Sequence, residues 1–450
     1  MNQRRTLIKG GNIVSMDPEI GELPKGDVLI EGGKITAIGS KLEASGADVV
    51  DASERIVMPG FVDAHRHVWQ GVIKDVAPNT DLEDYFGNVL ARLAPAYRPE
   101  DVYAGNLIGA LEALDAGVTT LLDWSHIQHT PDHTDEAVRA IREAGLRTIF
   151  AHGFTNTGPE WFFESELDHP EDARRVRSEH FSSNDDLVTM AMALRGPELS
   201  TMEVTKRDWA LARELDLMIT VHVGNGAFGV PYCSIERLEE AGLMGPDVQY
   251  VHGVSLADEA IGRIKASGGT AVVTPAVEML MGFGFPATGR FLAAGIRPGL
   301  GVDVVTSTGS DQFTQMRAAL EAARVLALTD EKSEEQPLVP TTRDILALAT
   351  IDGARACGLG EKTGSLSPGK EADVVLLRTD SFDLTPLNDP IGAIVLAAHT
   401  GHVDSIFVSG KALKRDGKLV DVDAERVRRL AAESRDHLFE QAGLLSTAVR

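Results

Sequence analysis

Cysteine is scarce in this chain: Cys233 and Cys357 are the only two among 450 residues. They lie far apart and form no Cys-x-x-Cys pair, which excludes a disulfide framework and makes a reducing, cytoplasmic setting the expectation. Positive charge is also in short supply. Lys and Arg number 43 against 67 Asp and Glu, a formal net charge of −24. An acidic surface repels phosphate backbones and anionic headgroups, so neither nucleic acid nor a membrane is an expected partner. No stretch approaches the roughly 18 apolar residues that a membrane span requires. Residues Met1–Gly11 carry two arginines but no apolar run of signal-peptide length, so no signal peptide is expected. Internal repeats and low-complexity linkers are missing as well.

What is present reads as globular: 43% hydrophobic and 24% charged residues, close to the soluble average. The length exceeds one ordinary domain and suits a large barrel with a smaller companion. Near the start, Thr6–Gly11, Asp27–Gly33 and Lys34–Gly39 alternate in polarity and are punctuated by Gly-Gly turns, as in a hairpin meander. The same grammar returns at Ala372–Leu377 and Val403–Lys411. One small β-sandwich, assembled from residues 1–58 and 362–420, is therefore expected. Residues 59–361 alternate apolar runs with helical spacing. Strands fit Ile56–Ala64, Gly117–Asp123, Leu146–Ala151, Leu187–Ala193, Leu217–Val221, Val248–Val251, Gly269–Thr274 and Gly295–Gly301. Continuous apolar runs separated by helices indicate parallel strands covered on both faces. Eight of them favour a closed (β/α)₈ TIM barrel, an α/β fold, over an open sheet. Residues 421–450 read as a charged helical tail.

Polar residues gather where these strands end. The first ends in Asp63-Ala64-His65-Arg66-His67, the fifth at His222, the sixth at His252 and the eighth at Asp303. Residues two apart on a strand share a face, so His65 and His67 can reach one ion. A lone His-x-His is weak evidence. Two further histidines and an aspartate at separate strand ends, on the barrel face that builds active sites, make it strong. Three imidazoles and a carboxylate suit zinc or ferrous iron and leave room for a water, whose pKa falls to about 7 on a metal. A second oxygen of Asp303 can take that water's proton and pass it to a leaving group.

Pro59-Gly60-Phe61-Val62-Asp63-Ala64-His65-Arg66-His67 resembles the signature of the amidohydrolase superfamily. His222, Val251-His252-Gly253 and Gly301-Val302-Asp303 match its later motifs in order, and Gly364–Asp373 resembles its split β-sandwich. The resemblance covers almost the whole chain and is nearest to the mononuclear branch of triazine hydrolases, cytosine deaminase and purine deaminases. It implies one divalent metal, zinc first and iron as the alternative, on His65, His67, His222 and Asp303. It places His252 beside the metal and Gln70 near the substrate. No lysine stands at the fourth strand end, Met192-Ala193-Leu194-Arg195-Gly196, which argues against a carbamylated-lysine binuclear centre.

Two departures matter. Deaminases of this branch carry a proton-shuttling glutamate three residues after the strand-five histidine. Asn225 stands here, and an amide cannot do that work. The strand-seven Pro-x-Ser-Asn pattern becomes Pro275-Ala276-Val277-Glu278. Glu278 is expected to replace the missing acid, with two alternatives: holding a basic substituent, or pairing with an arginine such as Arg66. His126 is a candidate for the pocket wall, as are Trp69, Trp124, Phe283 and Phe285. The expected activity is hydrolysis of a non-peptide carbon–nitrogen bond in a small heterocycle, with deamination of a cyclic amidine leading. Asp303, His252 and Glu278 are the expected catalytic residues, and Gln70, Asn225 and His126 the expected substrate contacts. Ring amide hydrolysis, or displacement of another leaving group, is the runner-up, and a catalytically silent assembly protein is the third reading. A homo-oligomer is expected by analogy with such barrels.

Overall fold

Eight parallel strands form one sheet in sequence order: Phe61–Arg66, Val118–Ser125, Arg147–His152, Val188–Leu194, Ile219–Val223, Val248–His252, Thr270–Val273 and Gly299–Leu300. The chain is seen in a computed structural model that describes residues 5–154, 164–329 and 338–444. The sheet curls until its two ends meet. Asp303 N–H donates to the His65 carbonyl (2.9 Å), and His67 N–H donates to the Asp303 carbonyl (2.8 Å). The bonds that complete the barrel thus also bring His65, His67 and Asp303 together.

The strands lie buried on both sides because each is covered inside and out. All eight residues of Val118–Ser125 are buried. Val62, Ala64, Leu122, Ile149, Ala191 and Val272 belong to the inner cluster. The larger core packs the outer faces against helices such as Pro99–Asp115 and Pro131–Ala144. Pro99 opens the first of these helices at a position whose N–H has no helical partner. Gly145, at φ 80°, ends the second in the left-handed conformation that favours glycine and sends the chain into the next strand.

The termini build a second, nine-stranded sheet. Arg5–Val14, Glu22–Glu31, Lys34–Gly39, Asp48–Asp51 and Arg55–Pro59 come from the start. Val374–Arg378, Val403–Val408, Lys411–Arg415 and Lys418–Leu419 come from beyond the barrel. The halves join where Arg55–Pro59 pairs antiparallel with Val374–Arg378. The sheet has its own core, including Ile8, Ile13, Val28, Leu366 and Phe407. A buried pair, Arg147 Nε to Asp373 Oδ2 at 2.9 Å, ties it to the barrel. The tail forms the helix Ala424–Gln441. No helix among the described residues is long and apolar enough to cross a membrane.

Two boundaries differ from the sequence reading. The run Ile56–Ala64 is two strands, because Gly60 lets the chain pass from one sheet to the other. A Cβ there would come within 2.0 Å of Thr119 Oγ1. The run Gly295–Gly301 contributes only Gly299–Leu300 to the barrel. Gly295, at φ 74°, and Ile296, whose N–H donates to the Phe291 carbonyl, instead terminate the helix Thr288–Ala293.

Candidate metal centre

One ligand atom each from His65, His67, His222 and Asp303 lies within 4.8 Å of the others. Asp303 Oδ1 is 3.3 Å from His65 Nε2 and 3.2 Å from His67 Nε2, and His222 Nε2 is 3.2 Å from His65 Nε2. The His67 tautomer follows from its other nitrogen. Nδ1 is 2.8 Å from the Trp124 carbonyl, which can only accept, so Nδ1 carries the hydrogen and Nε2 turns a lone pair inward. Burial pushes His65 down to about 4 and His222 well below the usual histidine range. Burial alone would raise Asp303, but the His65 and His67 rings beside it hold it well below the usual carboxylate range. Burial thus disfavours charge on the His65 and His222 rings, while the Asp303 carboxylate is held ionised beside them. Imidazole nitrogens converging on one carboxylate form a donor set that fits a divalent cation.

His252 stands beside this group, its Nε2 3.8 Å from Asp303 Oδ2. Its Nδ1 is 3.2 Å from Glu278 Oε1 and 3.0 Å from Thr274 Oγ1. Burial opposes charge on this ring, yet the bond to Glu278 and the charge of Asp303 outweigh it, and the pKa moves up. His252 and Asp303 both adopt positive φ, 75° and 67°. That region costs an L-residue on the order of 1–3 kcal/mol, and such strain characteristically gathers at functional sites. Nothing in the sequence pattern marks either residue as strained.

Two expected roles are corrected, Glu278 as a catalytic residue reaching the substrate and Gln70 as a substrate contact. Glu278 is fully buried in the short helix Pro275–Leu280 and stands behind His252 rather than in the pocket. Its Oε1 also accepts the Thr274 N–H at 2.8 Å, so the carboxylate folds back onto the start of its own helix. Arg66 is not its partner; that guanidinium faces Asp63 (3.5 Å) and Glu112 (3.2 Å). Gln70 is likewise fully buried and outside the pocket wall, its Nε2 donating to Tyr85 Oη at 2.6 Å. Tyr85 does line the pocket, so Gln70 acts through it.

The pocket above the four ligands encloses about 690 Å³, including its open mouth. Asn225, His126, Trp124 and Phe283 line it as the sequence suggests, whereas Trp69 is buried behind His126 and Phe285 is exposed outside. Sequence reasoning misses Tyr85, Phe86 and Phe228, which carry no motif and arrive from two short helical segments far apart in the chain, around residues 82–93 and 226–229. It also misses Glu198. This buried carboxylate accepts from Gly224 N–H (2.5 Å), Asn225 Nδ2 (2.7 Å) and Ser234 Oγ (2.8 Å), bracing the loop after His222. The mouth opens past Leu82 and Met281 into an outer cleft bordered by Asp81 and Glu83.

Residues 56–413 match the family model described as "Amidohydrolase family". The chain belongs to the amidohydrolase family. Among its curated relatives is a 5'-deoxyadenosine deaminase from Methanothermobacter thermautotrophicus, 30% identical, with 96% of this chain and 98% of that protein covered. A 5-methylthioadenosine/S-adenosylhomocysteine deaminase from Pyrococcus furiosus is 28% identical over 94% of this chain and 98% of its own. Solved structures share the fold. A zinc-bound adenosine deaminase from Xanthomonas campestris superposes with a TM-score of 0.83 at 23% identity, covering 97% of this chain and 98% of its own. A zinc-complexed atrazine chlorohydrolase from Arthrobacter aurescens gives 0.84 at 22% identity, covering 96% and 100%.

Proposed function

We propose that this amidohydrolase is a deaminase that hydrolyses an exocyclic carbon–nitrogen bond of a small cyclic amidine, using one zinc ion held by His65, His67, His222 and Asp303. The observation that carries the reading is the convergence of those four ligand atoms at the floor of a largely apolar pocket. The deaminase names of relatives aligned over nearly the whole chain support it. When bound, the metal supplies Lewis acidity and lowers the pKa of water to about 7.

The chain's own residues handle the protons. Oδ1 of Asp303 faces the imidazole nitrogens, whereas Oδ2 turns toward His252. Asp303 Oδ2 takes the proton of the attacking water and gives it to the departing amine as ammonia leaves. His252 Nδ1–H donates to Glu278, whose carboxylate favours the doubly protonated ring, and Nε2–H of that ring can donate to the substrate atom where negative charge develops. Trp124, Phe228 and Phe283 offer apolar faces to a planar ring and exclude water around it.

The test is ammonia release by the zinc-loaded protein from a panel of aminated heterocycles. One observation favours a second reading, hydrolytic loss of a group other than ammonia: Asn225 offers no acid to protonate a ring nitrogen. Product analysis separates the two. Ammonia release supports the first, and turnover without ammonia supports the second.

A further inference from the structure

Asn225 is the one amide among the described residues of the pocket wall, and its orientation is fixed. Its neighbour Glu198 is a buried carboxylate that also receives the Gly224 N–H and the Ser234 hydroxyl. A carboxylate placed among donors accepts, so the Asn225 NH₂ must face it, at 2.7 Å from Oε2. The other end of the amide, Oδ1, is left as the polar atom for the pocket. Asn225 is itself nine-tenths buried, so this acceptor competes with little water. It sits three residues beyond the ligand His222, at the same strand end, so it faces the edge of a substrate whose reacting carbon lies at the metal.

We propose that Asn225 determines specificity by accepting a hydrogen bond from a ring N–H, so that the preferred substrate is a cyclic amidine whose ring nitrogen beside the reacting carbon already bears hydrogen. This rests on the deaminase reading above. An amino-heterocycle with a bare ring nitrogen at that edge sets lone pair against lone pair, and a buried acceptor facing an acceptor is disfavoured. Sites built around one hydrogen bond reject analogues that lack it far more strongly than apolar pockets reject a change in size. Glu198 is the positioning residue, because it alone decides which end of the amide faces inward.

The experiment uses the zinc-loaded full chain and two probes, isocytosine, which carries a ring N–H beside the amino-bearing carbon, and 2-aminopyrimidine, which has only bare ring nitrogens. Ammonia release and competitive binding are measured for each. The wild type is expected to favour isocytosine at least tenfold in affinity or kcat/KM. Glu198→Gln should narrow or reverse that preference. Its new amide NH₂ takes the place of Oε2, donates to Asn225, and turns the Asn225 NH₂ into the pocket. Asn225→Leu, which removes both ends of the amide, should abolish the discrimination, with a lower melting temperature because Glu198 Oε2 loses its donor. Where Glu198→Gln does not fold, Asn225→Leu measured against the wild type on the same two probes makes the comparison. Equal or inverted preference in the wild type, or a preference untouched by Asn225→Leu, overturns the inference. If neither probe nor any aminated heterocycle releases ammonia, the deaminase reading fails instead, while the binding preference still tests Asn225.

Discussion

In the proposed centre each imidazole supplies one nitrogen. His65→Ala or His67→Ala should therefore lose metal and activity together, as read by elemental analysis of dialysed protein beside an activity assay. Tightly held stoichiometric metal with normal turnover in either variant would refute the ligand assignment. Asp303→Asn should behave differently. The amide can still touch a metal but cannot carry a proton at Oδ2, so some metal should remain while turnover collapses. Glu278 now has a narrower part than its sequence position suggested. It contacts His252 and Thr274 rather than the pocket, so Glu278→Gln should lower kcat roughly 10–100-fold with metal content and KM little changed. A loss confined to KM would mean that Glu278 reaches the substrate after all. The departure of this residue from its family pattern was legible in the sequence; which way its carboxylate points was not.

At the scale of elements, the site depends on close backbone approach. The 3₁₀ turn Val68–Val72, directly after His67, lies against the helix Pro99–Asp115 through Gly71, Gly105 and Gly109. A Cβ on Gly105 would come within 2.2 Å of the Trp69 carbonyl, and backbone cannot yield as a flexible side chain does. Gly105→Ala should cost about 1–3 kcal/mol, a drop visible in thermal melting, and should weaken metal retention by displacing the turn that follows His67. A variant with unchanged melting and full metal would show that the contact has slack. These glycines do not stand out in the sequence, because their role is set by which helix lands on which turn.

For the whole molecule, buried histidines set the response to acid. His65 and His152 are pushed down to about 4 by burial, and His126, His169 and His222 lie well below the ordinary value for the same first cause. Below about pH 6.5 the unfolded chain takes up protons that the folded chain refuses, so stability present above that pH is lost as pH falls toward 4. Asp63 and Asp208, raised to about 6, and Asp123, raised to about 7, all by burial, act in the opposite sense: they favour the fold at low pH and lose that contribution as pH rises through those values. Glu198 and His252 also move up, so five groups stand on each side, and the three histidines held well below their ordinary value tip the balance: the melting temperature in chelator should decline between about pH 6.5 and 4.5. A flat or rising profile on acidification would contradict this balance. At pH 7.5, adding zinc to chelated protein should raise the melting temperature, because a ligand that binds only the folded state stabilises it.

The barrel and the terminal sheet were legible because burial on both faces demands uninterrupted apolar runs, and a half-exposed sheet demands alternation. The clustering of His65, His67, His222 and Asp303 was legible because imidazole and carboxylate at the ends of buried strands are costly without a partner, and so stand out in sequence. Tertiary structure alone decided the rest. It split one apolar run between two sheets at Gly60 and reduced the last strand to Gly299–Leu300. It moved Gln70 and Glu278 behind the pocket and set Glu198 under Asn225. Those outcomes depend on which loop lies over which strand end, and hydrogen bonds between residues 26 or 27 positions apart leave no periodicity to read.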